Sequence, residues 1–416
     1  MKYHFQKARS NGQHKRDGQG RKRKMGNILD YLAWRGDLSF TQSPFNEVDN
    51  LILAELTYMN FEGMVFHSWK HPMLLEEAAR RYFEKNPYTK DALGLFIPDE
   101  IQDLLREAAA SRRFAGVRLS GFVNEIDEEE EKQFAALTFD IGDVLRYVSF
   151  RGTDDTLVGW KEDCNMSYQF PVPSHVAAQS YLERAAAAKP GVPLITGGHS
   201  KGGNLAMYAA AHCSQQVFER VQLVYNNDGP GFPTPEIASG IYHKLDTKLM
   251  NIIPEASIVG LLMEFRGHFR IVKSDAMGPA QHNALTWEVR GPAFHVFIRE
   301  PRAVQRNKRT LHAWLREMDL QRRKEMVENL FAWQKNVEAK TLSDLFKNPT
   351  QTIPALFSSY DRETLEVLGT SFRLLMKEEK TSFKEVFRDE HKNFKKNLIE
   401  NIQDVFESLK NGKKDG

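Results

Sequence analysis

The segment Gly198-His199-Ser200-Lys201-Gly202-Gly203 follows the apolar run Val192 to Ile195 and leads into Asn204-Leu205-Ala206-Met207-Tyr208-Ala209-Ala210-Ala211. A strand that enters G-x-S-x-G and leaves as a helix turns so sharply that flanking side chains would strike one or the other, so glycines crowd the serine. Such a turn lifts the hydroxyl clear of the sheet at a helix N-terminus, where unpaired amides can stabilise developing negative charge. Ala206, Ala209, Ala210 and Ala211 let the helix approach the sheet closely. A phosphate loop is the competing use of a Gly-rich turn with a lysine. It needs Ser or Thr after the lysine, and here Gly202 follows Lys201.

The surrounding periodicity agrees with a strand-turn-helix at this point. Residues 25–115 carry helical spacings at Val48 to Leu56, Met73 to Phe83 and Ile101 to Ala110. The period then changes to two: Val117 to Ile126, Phe134 to Ile141 and Val144 to Phe150 read as three consecutive strands, with Glu128 to Glu131 as an exposed turn. Beyond Arg151 helices and strands alternate, with a helix at Ser174 to Ala188 and strands at Val192 to Thr196, Val221 to Tyr225, Leu249 to Ile253, Phe269 to Lys273 and Trp287 to Arg290. Alternation of this kind predicts an α/β fold with a mostly parallel sheet flanked by helices over residues 116–300, and the strand-turn-helix around Ser200 makes the expected fold one of the α/β-hydrolase type. Ligands bind such sheets at the carboxyl ends of their strands. An N-terminal helical region (25–115) packs on this core, and a helical C-terminal extension (301–416) follows it. Its stripe Phe383, Phe387, Phe394, Leu398, Ile402 and Phe406 reads first as a face packed on the body or on a partner helix, and second as one lying on a membrane.

Charge excludes some functions. With 57 basic and 55 acidic residues, the 416-residue chain has a formal net charge of +2, so no nucleic-acid partner is expected. Residues 1–24 hold nine Lys or Arg against one Asp and read as a disordered basic tail. No apolar run is long enough to span a bilayer, no secretory pattern follows the basic residues, and Cys164 and Cys213 form no C-x-x-C pair. A cytoplasmic protein with reduced thiols fits these features. His67 and His71 lack an H-E-x-x-H and are interrupted by Pro72, and no dinucleotide fingerprint follows the first strand, so neither metal nor cofactor is expected.

A serine hydroxyl needs a base to take its proton and a carboxylate to orient that base. In this strand-turn-helix setting the chain order is serine, acid, histidine. Asp228 ends "VQLVYNN" and opens "DGPGF" at the sheet edge, which makes it the first choice for the acid; Asp246, Glu255 and Asp275 stay as rivals. His282, in "GPAQHNALTWEV", sits in a loop where an aimed imidazole belongs and is the preferred base, ahead of His268 and His295. His199 is expected only to pack. The oxyanion needs two backbone donors: the amide of Lys201, and one from "FRGTDD", where Gly152 admits a ligand and the Thr153 amide and hydroxyl can both donate. The Lys201 side chain opposes the helix dipole by roughly half a kcal/mol and is expected to face water or an anionic head group. Phe232, Leu261, Leu262 and Met263 could line an acyl pocket, although apolar residues at a sheet edge are more often core.

Phe150-Arg151-Gly152-Thr153, Trp160 with Asp163, and Gly198 to Gly203 together resemble the class 3, fungal-type lipases. The likeness is strongest to the bacterial Mbeg-like branch, through the lysine of Gly-His-Ser-Lys-Gly-Gly-Asn, Asn227 to Phe232, Ser257 to Gly260, and Gln281-His282 before Trp287. The resemblance implies Ser200 as nucleophile, His282 as base, and Thr153 with Lys201 at the oxyanion. Class 3 lipases usually carry leucine where Lys201 stands, and Ser257 occupies their carboxylate's place, so the resemblance leaves the acid open. Two functions follow. One is a serine hydrolase of small-molecule or lipid carboxylic esters, lipase-, phospholipase- or lysophospholipase-like, working through an acyl-enzyme. The other is a catalytically silent hydrolase-fold scaffold that binds a protein or membrane through its C-terminal helices.

Overall fold

Proline and glycine punctuation sets the strand ends. Pro193 has no N–H to give a ladder, so the strand before the serine begins at Leu194 and runs to His199, later than its apolar run suggests. The computed structural model describes residues 26–89, 93–94, 97–317, 319–331, 339–341 and 343–344. Its main sheet has eight strands in sequential order: β1 Met73–Leu74, β2 Arg118–Asp127, β3 Lys132–Ile141, β4 Leu145–Phe150, β5 Leu194–His199, β6 Val221–Asn227, β7 Leu249–Pro254 and β8 Phe269–Val272. Neighbours from β1 to β4 are antiparallel, and those from β4 to β8 are parallel. Short turns join β2 to β3 and β3 to β4, whereas α3 and α4 lie between β1 and β2 in the chain and each parallel step needs a crossover. The predicted α/β architecture with a mostly parallel sheet is therefore present. The expected strand Trp287 to Arg290 differs: the strand is confined to Val289–Arg290 (β9), which pairs with Ala293–Phe294 (β10) in a separate hairpin, while Trp287 makes an isolated antiparallel bridge with Ser274.

The helices are α1 Ile28–Arg35, α2 Glu47–Leu56, α3 Leu75–Lys85, α4 Glu100–Ala110, α5 Leu157–Asn165, α6 Pro173–Ala188, α7 Lys201–His212, α8 Gln215–Arg220, α9 Thr234–Ala238, α10 Arg302–Glu317 and α11 Leu320–Phe331. Asn27 and Asn46 start α1 and α2, each accepting from the first-turn amides while Asp30 and Asp49 accept from the cap amides in return.

The sheet is covered on both faces. On one, Leu51 and Ile52 of α2 share a core with Tyr147, Ile195 and Tyr225. On the other, Ala178 and Leu182 of α6 and Leu205 and Ala209 of α7 pack with Val148, Phe150, Leu194 and Val224. Every residue of α2 is buried, so this N-terminal helix is a layer of the core. Its buried polar side chains all face partners: Asp49 pairs with Arg113 at 2.5 Å, Asn50 donates to Asn227 at 2.9 Å, and Glu55 lies 3.3 Å from His199. In the C-terminal part, Val304 of α10 joins Ile253, Leu261 and Ile271, and α11 lies against α5 through Lys161–Glu328 at 3.1 Å. No helix among the described residues is long and apolar enough to cross a membrane. The basic tail 1–24 and the stripe from Phe383 to Phe406 lie outside the described residues.

Candidate active site

Ser200 takes φ +56° and ψ −134°, a strained combination for a residue with a side chain, where β5 turns into α7. Its amide donates to the Asn227 carbonyl at 2.9 Å, which ties the turn to the end of β6. Close packing explains the glycine two residues on: a Cβ at Gly202 would lie 2.1 Å from the Phe150 carbonyl oxygen at the end of β4.

Asp228 follows directly on β6, also with positive φ (+55°), and its amide donates to the Ile252 carbonyl of β7 at 2.8 Å. The carboxylate is fully buried. His282 closes a short 3-10 turn, Gly278–His282. The neighbouring Gln281 pins that turn: its side chain accepts from the Ala256 amide at 2.8 Å and donates to the Ala276 carbonyl at 3.0 Å, while its own carbonyl takes the Trp287 indole N–H at 2.8 Å.

These elements bring three sequence-predicted residues into one chain of hydrogen bonds. The imidazole Nε2 of His282 is 3.0 Å from Ser200 Oγ, and its Nδ1 is 2.7 Å from Asp228 Oδ2. The other carboxylate oxygen, Oδ1, accepts from the Ser257 hydroxyl at 2.5 Å. Burial pushes the Asp228 carboxyl above its ordinary range, while the bonds from His282 and Ser257 pull it down. Of the rival acids, Asp246 pairs with Arg266 at 2.9 Å, and the carboxylate that meets His282 Nδ1 is that of Asp228. Of the other histidines, His295 pairs with Glu288 at 2.7 Å.

On the opposite side of the serine, the β4–α5 loop lies against the turn. A Cβ at Gly152 would stand 2.7 Å from the His199 carbonyl oxygen, so glycine is what lets this loop approach the serine turn. The Thr153 hydroxyl donates to Asp163 Oδ2 of α5, which corrects the expectation that this proton is free for a ligand. Lys201 is corrected as well. Its side chain is only 1% exposed and does not face water, because it turns inward to Glu162 at 2.5 Å, to the Gln133 carbonyl at 3.0 Å and to within 3.6 Å of Asp163.

A family model described as Mbeg1-like matches residues 108–332, more than half of the chain. The chain belongs to the Mbeg1-like family. No curated protein sequence matches it at a significant level. A solved structure, "Rhizomucor miehei lipase propeptide complex, native", aligns at 13% identity over 46% of this chain and 64% of that one, with a TM-score of 0.31. The alignment spans less than two thirds of that lipase complex chain, and a likeness at this level carries no chemistry across.

Motif reading missed part of this Mbeg1-like site. His199, expected only to pack, sets its ring centroid 4.7 Å from that of His282 at a tilt of 33° and hydrogen-bonds the His282 carbonyl through Nε2 at 2.9 Å. A carbonyl can only accept, so Nε2 carries the proton and Nδ1 faces the Tyr58 hydroxyl and Glu55, each at 3.3 Å. Burial pushes the His199 pKa well below its usual value and raises that of Glu55 to about 8, so near neutral pH a neutral ring meets a protonated carboxyl. The one sequence signal was a glutamate inside the apolar run of α2. Among the acyl-pocket candidates, Phe232 and Leu261 are core: Phe232 stacks on Tyr242 with ring centroids 4.4 Å apart, and Leu261 is 1% exposed.

Proposed function

We propose that this chain is a serine hydrolase of carboxylic esters, lipase- or lysophospholipase-like, that works through an acyl-enzyme. The reading is carried by one observation, the continuous chain from Ser200 Oγ through both ring nitrogens of His282 to the buried Asp228 carboxylate. Ser200 Oγ attacks the ester carbonyl carbon as its proton passes to His282 Nε2. Asp228 holds the Nδ1–H tautomer and stabilises the imidazolium. The amides of Lys201 and Thr153 stabilise the tetrahedral oxyanion. Collapse breaks the bond to the leaving alkoxide, which takes the proton from His282 and departs as the alcohol. Water then attacks the acyl-enzyme, giving its proton to His282, and Ser200 regains that proton as the carboxylic acid leaves.

The substrate in this reading is a small-molecule or lipid ester, and the free thiols Cys164 and Cys213 suit a reducing cytoplasm. The test is hydrolysis of p-nitrophenyl esters of increasing acyl length by the wild type and by S200A, H282A and D228A. Turnover lost in all three supports the enzyme. A folded wild type that hydrolyses none of them favours the scaffold.

A further inference from the structure

The class 3 pattern has leucine next to the nucleophile, yet here a lysine side chain is buried in that place. An ammonium enters a protein interior at a large desolvation cost, which only close opposite charge and hydrogen bonds offset. Lys201 has these: Glu162 at 2.5 Å, the Gln133 carbonyl and side-chain oxygen at 3.0 and 3.3 Å, and Asp163 Oδ1 at 3.6 Å. Glu162 is itself fixed, accepting from the backbone amides of Gln133 and Ser174 at 2.9 Å each. The lysine therefore bolts the first turn of α7 to β3 and α5. Asp163 has one oxygen on the Thr153 hydroxyl and one, Oδ1, buried without a hydrogen bond, for which the ammonium is the facing cation.

We propose that Lys201 is a positioning residue for the oxyanion site: its backbone amide is one donor, and its ammonium holds α5 so that Asp163 keeps Thr153, the other donor, against the serine turn. This inference rests on Ser200 acting as a nucleophile and adds a role that the hydrogen-bonded triad does not require. One residue thereby fixes the spacing of two donors that lie 48 positions apart in the chain. Electrostatics work in the same direction. Burial raises the Asp163 pKa to about 6, and the charge of Lys201 is the largest influence holding it down, against the opposing effect of Glu162. An ionised Asp163 accepts the Thr153 hydroxyl.

The test is a double-mutant cycle of Lys201→Met and Thr153→Val on hydrolysis of a short p-nitrophenyl ester, with melting curves for each variant. Misplacing a donor acts on the transition state, so K201M is expected to lower kcat by about 10- to 100-fold with KM changed less than about 3-fold. T153V cuts the same link, so the double variant is expected to be no slower than the slower single one. If K201M does not fold, K201M/E162Q, which removes both buried charges, takes its place in the cycle with the same expectation. A folded K201M or K201M/E162Q with wild-type kcat, or losses that multiply in the double variant, overturns the proposal. An inactive wild type overturns the hydrolase reading and this proposal together, whereas an active wild type with an equally active K201M overturns this one alone.

Discussion

The Ser257 hydroxyl donates to Asp228 Oδ1 at 2.5 Å, so the serine after β7 supports a carboxylate that comes from the end of β6. Two neighbouring strand ends thus share one task. The carboxylate sits on one, and on the other a hydroxyl fills the space where a second carboxylate would repel it. A fully buried carboxylate needs such donors, because every unpaired lone pair there costs solvation that nothing replaces.

Ser257→Ala is therefore expected to lower ester turnover by about tenfold with little change in KM, since it loosens Asp228 without removing it. Asp228→Asn is expected to cost about a thousandfold or more, because it removes the charge that selects the His282 tautomer. Steady-state kinetics on one ester check both. Equal effects of the two variants would separate Ser257 from this role.

Glu55 should make stability depend on pH. A glutamate carboxyl in water ordinarily titrates near 4.5, and burial raises this one to about 8 in the folded chain, so between those values the folded state holds a proton that the unfolded state has lost. Stability from this group is therefore full at low pH and falls as pH rises through about 8. Glu55→Gln abolishes the ionisation, so its melting temperature relative to the wild type is expected to climb steadily from about pH 5 to about pH 8. Parallel melting curves across that range would contradict it.

Gly202→Ala would set a methyl 2.1 Å from the Phe150 carbonyl oxygen, a backbone atom, with no flexible side chain to yield. A loss of about 3 kcal/mol or more is expected, from overpacking at a site that holds β4, β5 and α7 together. Urea unfolding measures it. A loss below about 1 kcal/mol would show that the turn can open.

The parts of this site that were legible in the sequence are those that local sterics dictate. Gly198 to Gly203 announced a turn that few residues can make, and the period change near residue 116 announced the sheet. Chain order only narrowed the search to residues after Ser200, which left Asp246, Glu255 and Asp275 beside Asp228 and other histidines beside His282; the meeting of His282 with Asp228 depended on strand order, which spacing alone does not encode. The buried ionisable groups were hidden for a different reason. Lys201, Glu55 and Glu162 have side chains whose ordinary place is the surface, and their burial is tolerated through a tertiary ion pair for Lys201 with Glu162 and through protonation for Glu55. Lys201 meets Gln133, 68 positions earlier, so no local pattern could reveal it.

The central claim is that Ser200 is a nucleophile activated by His282, and a fluorophosphonate probe followed by peptide mass mapping tests it most directly. The probe's phosphorus should be found on the peptide bearing Ser200, and labelling should slow at least a hundredfold in H282A. A folded wild type that takes up no probe, or takes it up on another residue, would contradict the account.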